Sequence, residues 1–104
     1  MRLRRRFLEK EGWSFSEAGL PIQLGVKFGR TPFGKKHLHK AMAEYFLLLE
    51  GRLRIQVGEE ILEMKKGDLV LVEPGEAHAV LSASPDALLL LLAPPQVAGD
   101  KVDL

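Results

Sequence analysis

Apolar residues recur at every second position in several stretches of this chain, and nowhere do they hold a helical period for more than a few residues. Ile22, Leu24, Val26 and Phe28 alternate with Gln23, Gly25 and Lys27, and Leu53, Ile55 and Val57 alternate with Arg52, Arg54 and Gln56. Such alternation places successive side chains on opposite faces of a strand. Turn-forming residues interrupt the runs at short intervals: Pro32-Phe33-Gly34, Glu50-Gly51, Gly58-Glu59, Lys66-Gly67-Asp68, Pro74-Gly75, Ser84-Pro85-Asp86 and Pro94-Pro95. About eight strands are predicted between them, near 20–28, 36–40, 44–49, 52–57, 60–64, 69–73, 77–82 and 87–93. Val57-Gly58-Glu59-Glu60-Ile61 reads as a tight hairpin in which glycine takes the φ > 0 position. Many short strands with regular punctuation predict an all-β sandwich or barrel. The barrel is expected over 20–93, preceded by a basic segment and first edge element (1–19) and followed by a C-terminal tail (94–104).

Two runs break the alternation. Tyr45 to Leu49 and Leu88 to Leu92 are apolar on both faces, and Pro85 and Pro94 bound the second too closely for a helix. Both sides of such strands need cover. A domain this small has little material for an outer layer, so a subunit interface, and with it a homodimer, is expected.

Composition narrows the function. The 104 residues make one domain, 46% hydrophobic, with a net charge of +1 that gives no reason to expect nucleic acid or an anionic membrane as partner. Cysteine is absent, which excludes disulfides, thiolate zinc sites and thiol nucleophiles. The basic start, Met1 to Glu11, lacks the apolar region of a secretory signal. The longest apolar run, Ala87 to Pro95, falls far short of the ~20 residues of a membrane-spanning helix. A soluble cytoplasmic protein is expected. Asparagine is missing too and glutamine occurs only at 23, 56 and 96, a thermophile-like depletion beside 28% charged residues.

All three histidines belong to one pattern, His37-x-His39-x4-Glu44 followed by Gly75-x-x-His78. On a strand, His37 and His39 share a face about 6.5–7 Å apart. Glu44 stands at an odd offset from His39, so residues 40–43 must contain a turn or bulge that resets the phase. Glu44 then shares its face with Phe46 and Leu48, where an unpaired carboxylate is costly and a cation compensates it. His78 follows the Pro74-Gly75 corner on a separate strand, with Val80 on its face. Three imidazoles and one carboxylate suit one divalent transition metal (manganese, iron, nickel, cobalt or zinc) with one or two coordination positions open.

These residues carry a family resemblance. The chain is similar to a small single-domain cupin, the double-stranded β-helix or jelly-roll barrel, over roughly residues 20 to 93. His37, His39, Glu44 and Gly51 stand at the places of the first cupin motif, and Gly67, Gly75 and His78 at those of the second. Thr31 replaces the opening glycine of the first motif, Glu73 stands at the proline of the second with Pro74 one place later, and Ser82 replaces its closing asparagine. None of these departures touches a ligand. The resemblance implies a 3-His-1-Glu metal site with dioxygenases, decarboxylases and isomerases as precedents.

Other candidate signals are weaker. Arg2, Arg4, Arg5 and Arg6 read as a solvated terminus. Lys35, Lys36 and Lys40 flank the histidine strand, where they would draw an anion or simply be solvated, and Tyr45 points away from Glu44 by alternation. Phe46, Leu48 and Val80, with Leu53, Ile55 and Val57 as neighbours, form an apolar wall without a general acid or base beyond the ligands. The reading is a metal-dependent enzyme acting on a small organic acid, enol or sugar-like molecule. A ligand-binding or sensor module and a structural ion in a dimeric barrel are the alternatives. With no lid, second barrel or DNA-binding segment evident, a transcription regulator is not expected.

Overall fold

The computed structural model describes residues 3, 5–14, 21–95 and 98–104, and of residue 14 only the backbone. Arg2, Arg4 and the first residue of the strand expected over 20–28 lie outside them. Among the described residues ten strands form: β1 (Gly12–Ser14), β2 (Gln23–Phe28), β3 (His37–His39), β4 (Glu44–Glu50), β5 (Arg52–Val57), β6 (Glu60–Lys65), β7 (Leu69–Val72), β8 (His78–Ala83), β9 (Leu88–Ala93) and β10 (Lys101–Asp103). The helical content among the described residues is one 3-10 turn, Phe7–Glu9, and no helix there is long and apolar enough to cross a membrane. All eight expected strands are present, with β1 and β10 in addition. The stretch 94–104, expected as a tail, carries β10, which pairs with β3.

The strands form two antiparallel five-stranded sheets, in the orders β1-β2-β9-β4-β7 and β10-β3-β8-β5-β6. From β3 onward the chain weaves between them, β4, β7 and β9 in the first and β3, β5, β6, β8 and β10 in the second. This is the jelly-roll arrangement of an all-β double-stranded β-helix. Two-residue hairpin geometry joins β5 to β6, with Val57 opposite Glu60 and Gly58 at φ 59°, the conformation that the turn residues predict. Gly51 turns β4 into β5 at φ 77°, and a Cβ there would lie 2.5 Å from Ser84 Oγ, so both backbone and space demand glycine.

The inner faces make the core. Phe46 and Leu48 of β4, Leu53, Ile55 and Val57 of β5, Met64, Val72 and Leu89 interlock there, and Leu48 and Ile55 have no exposed surface. Burial of each such side chain contributes about 1.5–3 kcal/mol. A bulge at Leu81 shifts β8 by one residue against β5, so that His78 and Val80 pair with Val57 and Ile55 before the break and Ala83 with Leu53 after it.

The outer face of the first sheet is apolar as well. Leu69, Leu47, Leu90 and Val26 lie in one cross-strand row, and Leu71, Tyr45, Leu92 and Leu24 in the next. Leu69, Leu71 and Tyr45 are exposed. In β2 the apolar half of the alternation therefore faces outward. Gln23, Gly25 and Lys27 face the barrel interior, and Gln23 is buried with its amide donating to Pro94 O at 3.1 Å.

Candidate metal centre

Three strands deliver the four polar side chains of the sequence pattern to one point. His37 and His39 come from β3, Glu44 opens β4, and His78 opens β8. The phase reset required between His39 and Glu44 is a crossing: residues 40–43 leave the second sheet and enter the first. Gly75, at φ 84°, donates its N–H to His39 O at 2.7 Å, which ties the Pro74-Gly75 corner to β3 and sets His78 opposite His37. One potential ligand atom from each of the four residues lies within 4.8 Å of all the others. The ring centroids of His37 and His78 are 4.3 Å apart, and those of His37 and His39 are 5.1 Å apart.

The second nitrogen of each ring explains why they converge. His37 Nδ1 donates to Lys35 O at 2.7 Å, His78 Nδ1 to Glu76 O at 3.2 Å, and His39 Nδ1 to Asp100 Oδ2 at 3.1 Å. Carbonyl and carboxylate oxygens only accept, so each Nδ1 carries the hydrogen, and each ring in its neutral form presents a lone pair at Nε2. His78 Nε2 is buried without a hydrogen-bond partner. His39 Nε2 lies 2.5 Å from Glu44 Oε1, two acceptors at a range that requires a positive charge between or beside them. An orphaned buried nitrogen, a bare acceptor pair and a third imidazole fit a divalent transition metal.

Electrostatics agree with this demand for a cation. Burial raises the Glu44 carboxyl above its usual range, opposed by the neighbouring His39 and His37. Burial lowers His78 to about 4, with His37 and His39 adding to it and the bond to Glu76 O opposing it, so the ring is neutral and ready to ligate near pH 7.

The cluster lies in a cavity of about 250 Å³. Phe46, Val80, Leu89 and Leu91 form its apolar wall, and Phe46 stacks obliquely on His78 at 5.7 Å. Val80 and Phe46 stand in that wall as the sequence predicts; Leu48, Leu53, Ile55 and Val57 lie deeper in the core. Of the three lysines flanking the histidine strand, Lys35 lines the cavity, while Lys36 and Lys40 are exposed outside it. Tyr45 lies on the outer face, away from the cluster.

Sequence reasoning missed four contributors. Lys27 donates to Pro32 O at 2.8 Å, lies 3.8 Å from Glu11 Oε2 and 5.1 Å over the Phe33 ring, and so secures the loop that carries Phe33 over the cavity. Its inward position follows from the apolar outer sheet, which reverses the usual meaning of a polar residue in an alternating strand. Trp13 also lines the cavity, its ring over Gly25, where a Cβ would lie 2.8 Å from it. Lys101 reaches the cavity from β10 opposite His39, and Asp100 stands behind His39. Residues 101–103 hold one apolar residue, too little for a strand signal.

The family model described as "Cupin domain" matches residues 29–94. Among solved structures, KdgF from Halomonas sp. is similar at 18% identity and a TM-score of 0.69, covering 83% of this chain and 79% of that one. TT1209 from Thermus thermophilus is 26% identical with a TM-score of 0.65, covering 91% of this chain and 92% of that one. A protein from Planctomyces limnophilus is 13% identical with a TM-score of 0.70, covering 96% of each chain. No curated protein matches the chain in sequence.

Proposed function

The chain belongs to the cupin family, and on that premise we propose that it is a metal-dependent enzyme acting on a small anionic molecule, an organic acid, enol or sugar-like compound. One observation carries the reading: three imidazoles and the Glu44 carboxylate converge at the wall of a cavity. His37, His39, Glu44 and His78 would hold a divalent ion, which would supply Lewis acidity toward an oxygen-bearing ligand. Dioxygenase, decarboxylase and isomerase chemistry all use such a centre.

The remaining residues favour an anion. Beyond the four candidate ligands, the ionisable side chains among the described cavity-lining residues are Lys27, Lys35 and Lys101, all cationic. Lys27 is engaged with Glu11 and Pro32, whereas Lys101 is about half exposed and pairs loosely with Asp103 at 3.8 Å. Its exposure and loose pairing support Lys101 as the residue that meets the distal anionic group of a ligand. At about 250 Å³ the cavity is smaller than the roughly 300–1,000 Å³ of drug-sized sites, which supports a small molecule as ligand.

A second reading, a module that binds such an anion without turnover, is favoured by the same lining. Apart from the candidate ligands it offers only ammonium groups as proton carriers. Incubating metal-loaded protein with a panel of small carboxylates and enols decides between the two. Oxygen uptake or product formation supports the enzyme; saturable binding with neither supports the module. We further propose a homodimer joined through the outer face of the first sheet, supported by its two apolar rows.

A further inference from the structure

We propose that Asp100 is the positioning residue of the metal centre, holding His39 in the Nδ1–H tautomer so that Nε2 is the atom presented beside Glu44. This rests on the reading of the four residues as ligands.

Asp100 immediately precedes β10 and is 6% exposed, behind His39. Its two carboxylate oxygens have separate duties. Oδ2 accepts from His39 Nδ1 at 3.1 Å, and Oδ1 accepts from Ala41 N at 2.7 Å. Its backbone oxygen accepts from Lys40 N at 2.9 Å. Three contacts from one residue therefore grip 39–41, the point where the chain leaves β3 to cross toward Glu44.

The comparison with the other two histidines gives this its meaning. His37 and His78 each donate Nδ1–H to a carbonyl two residues upstream, so local backbone sets their tautomer. Among the described residues no local carbonyl bonds His39 Nδ1. Its acceptor comes from 61 residues away, on a side chain. A histidine free at Nδ1 can place its hydrogen on Nε2, where it would donate to Glu44 and occupy the lone pair that a metal needs. Asp100 excludes that arrangement, and the Ala41 bond prevents the carboxylate from turning away. The residue leading into β10 thus controls the metal site without supplying a ligand.

The test compares Asp100→Asn with Asp100→Ala in metal-stripped protein, titrated with zinc against a chelator, alongside nitrogen NMR of the histidine rings. In Asp100→Asn the amide oxygen keeps the Ala41 bond and turns its NH₂ toward His39 Nδ1. That forces the hydrogen onto Nε2. Zinc affinity is expected to fall by about 10–100-fold, with His39 switching to the Nε2–H form, and Asp100→Ala, which imposes neither tautomer, is expected to lose less. A merely structural role gives the reverse order, because alanine removes more contacts. The wild-type protein tests the idea even if a variant does not fold: His39 is expected as the Nδ1–H tautomer before zinc and bound through Nε2 after it. Coordination through Nδ1, or undiminished zinc binding by folded Asp100→Asn, overturns the role of Asp100 alone. Wild-type protein that takes up no zinc or other first-row ion overturns the ligand reading as well.

Discussion

His39 Nε2 and Glu44 Oε1 approach to 2.5 Å although their residues belong to different sheets and both side chains are almost fully buried. The contact exists because the chain changes sheets between them, and it brings together two groups that repel unless a proton or a metal intervenes. Glu44→Gln replaces one acceptor with an amide that donates to Nε2. The variant is expected to fold, to match or exceed the apo wild type in melting temperature, and to bind metal at least ~10-fold more weakly. Thermal melts with and without added ion check this. A variant that binds metal as tightly as wild type removes Glu44 from the site.

The pH dependence of the apo-protein follows from His78. Its folded value of about 4 lies below the unfolded value near 6.5, so between these the unfolded chain binds a proton that the folded state refuses. Stability from this group is present above about pH 6.5 and is lost as the pH falls toward 4, on the order of 3 kcal/mol in full. Glu44 acts with opposite sign, since its raised value means that the folded state takes up a proton before the unfolded chain does. Urea unfolding of metal-free wild type and His78→Gln between about pH 4 and 7 isolates the histidine contribution. The wild-type curve is expected to fall more steeply with acid; parallel curves contradict the assignment.

Much of this was legible in the sequence for definite reasons. Glycines and prolines mark the ends of eight strands, and three of the candidate ligands follow strand periodicity once the 40–43 turn is allowed for. The remainder depends on contacts with no local signature. Lys27 belongs to the polar half of an alternating strand, and alternation alone does not say which face is buried where the outer face of the sheet is apolar. Asp100 lies in the stretch expected as a tail, and its partner, His39, is 61 residues distant. Strands of three residues such as β10 contain too few side chains for a period to emerge.

Lys101 offers a direct test of the anionic-ligand reading. Lys101→Met keeps the stem and removes the charge, so binding of oxalate or malonate to metal-loaded protein is expected to weaken about threefold to tenfold, corresponding to roughly 1 kcal/mol for a half-exposed ammonium. The loss should shrink at high salt. Calorimetric titration at two ionic strengths measures both effects. Unchanged affinity with intact metal content rules out this contact.

Leu47 occupies the middle of the row Leu69–Leu47–Leu90–Val26 on the outer face of the first sheet. Leu47→Glu introduces a charge into the proposed dimer contact and is expected to give a monomer with metal content unchanged. Light scattering after size-exclusion chromatography reads the outcome. A wild type already monomeric at high concentration contradicts the dimer without affecting the metal centre.

Uptake of metal by stripped protein tests the central claim most directly. Titration with manganese, iron(II), cobalt, nickel and zinc, followed by elemental analysis, is expected to show one ion per chain. Folded His37→Ala, His39→Ala and His78→Ala are each expected to lose it. Failure of every ion to bind the wild type, or retention of one equivalent by those variants, would contradict the account.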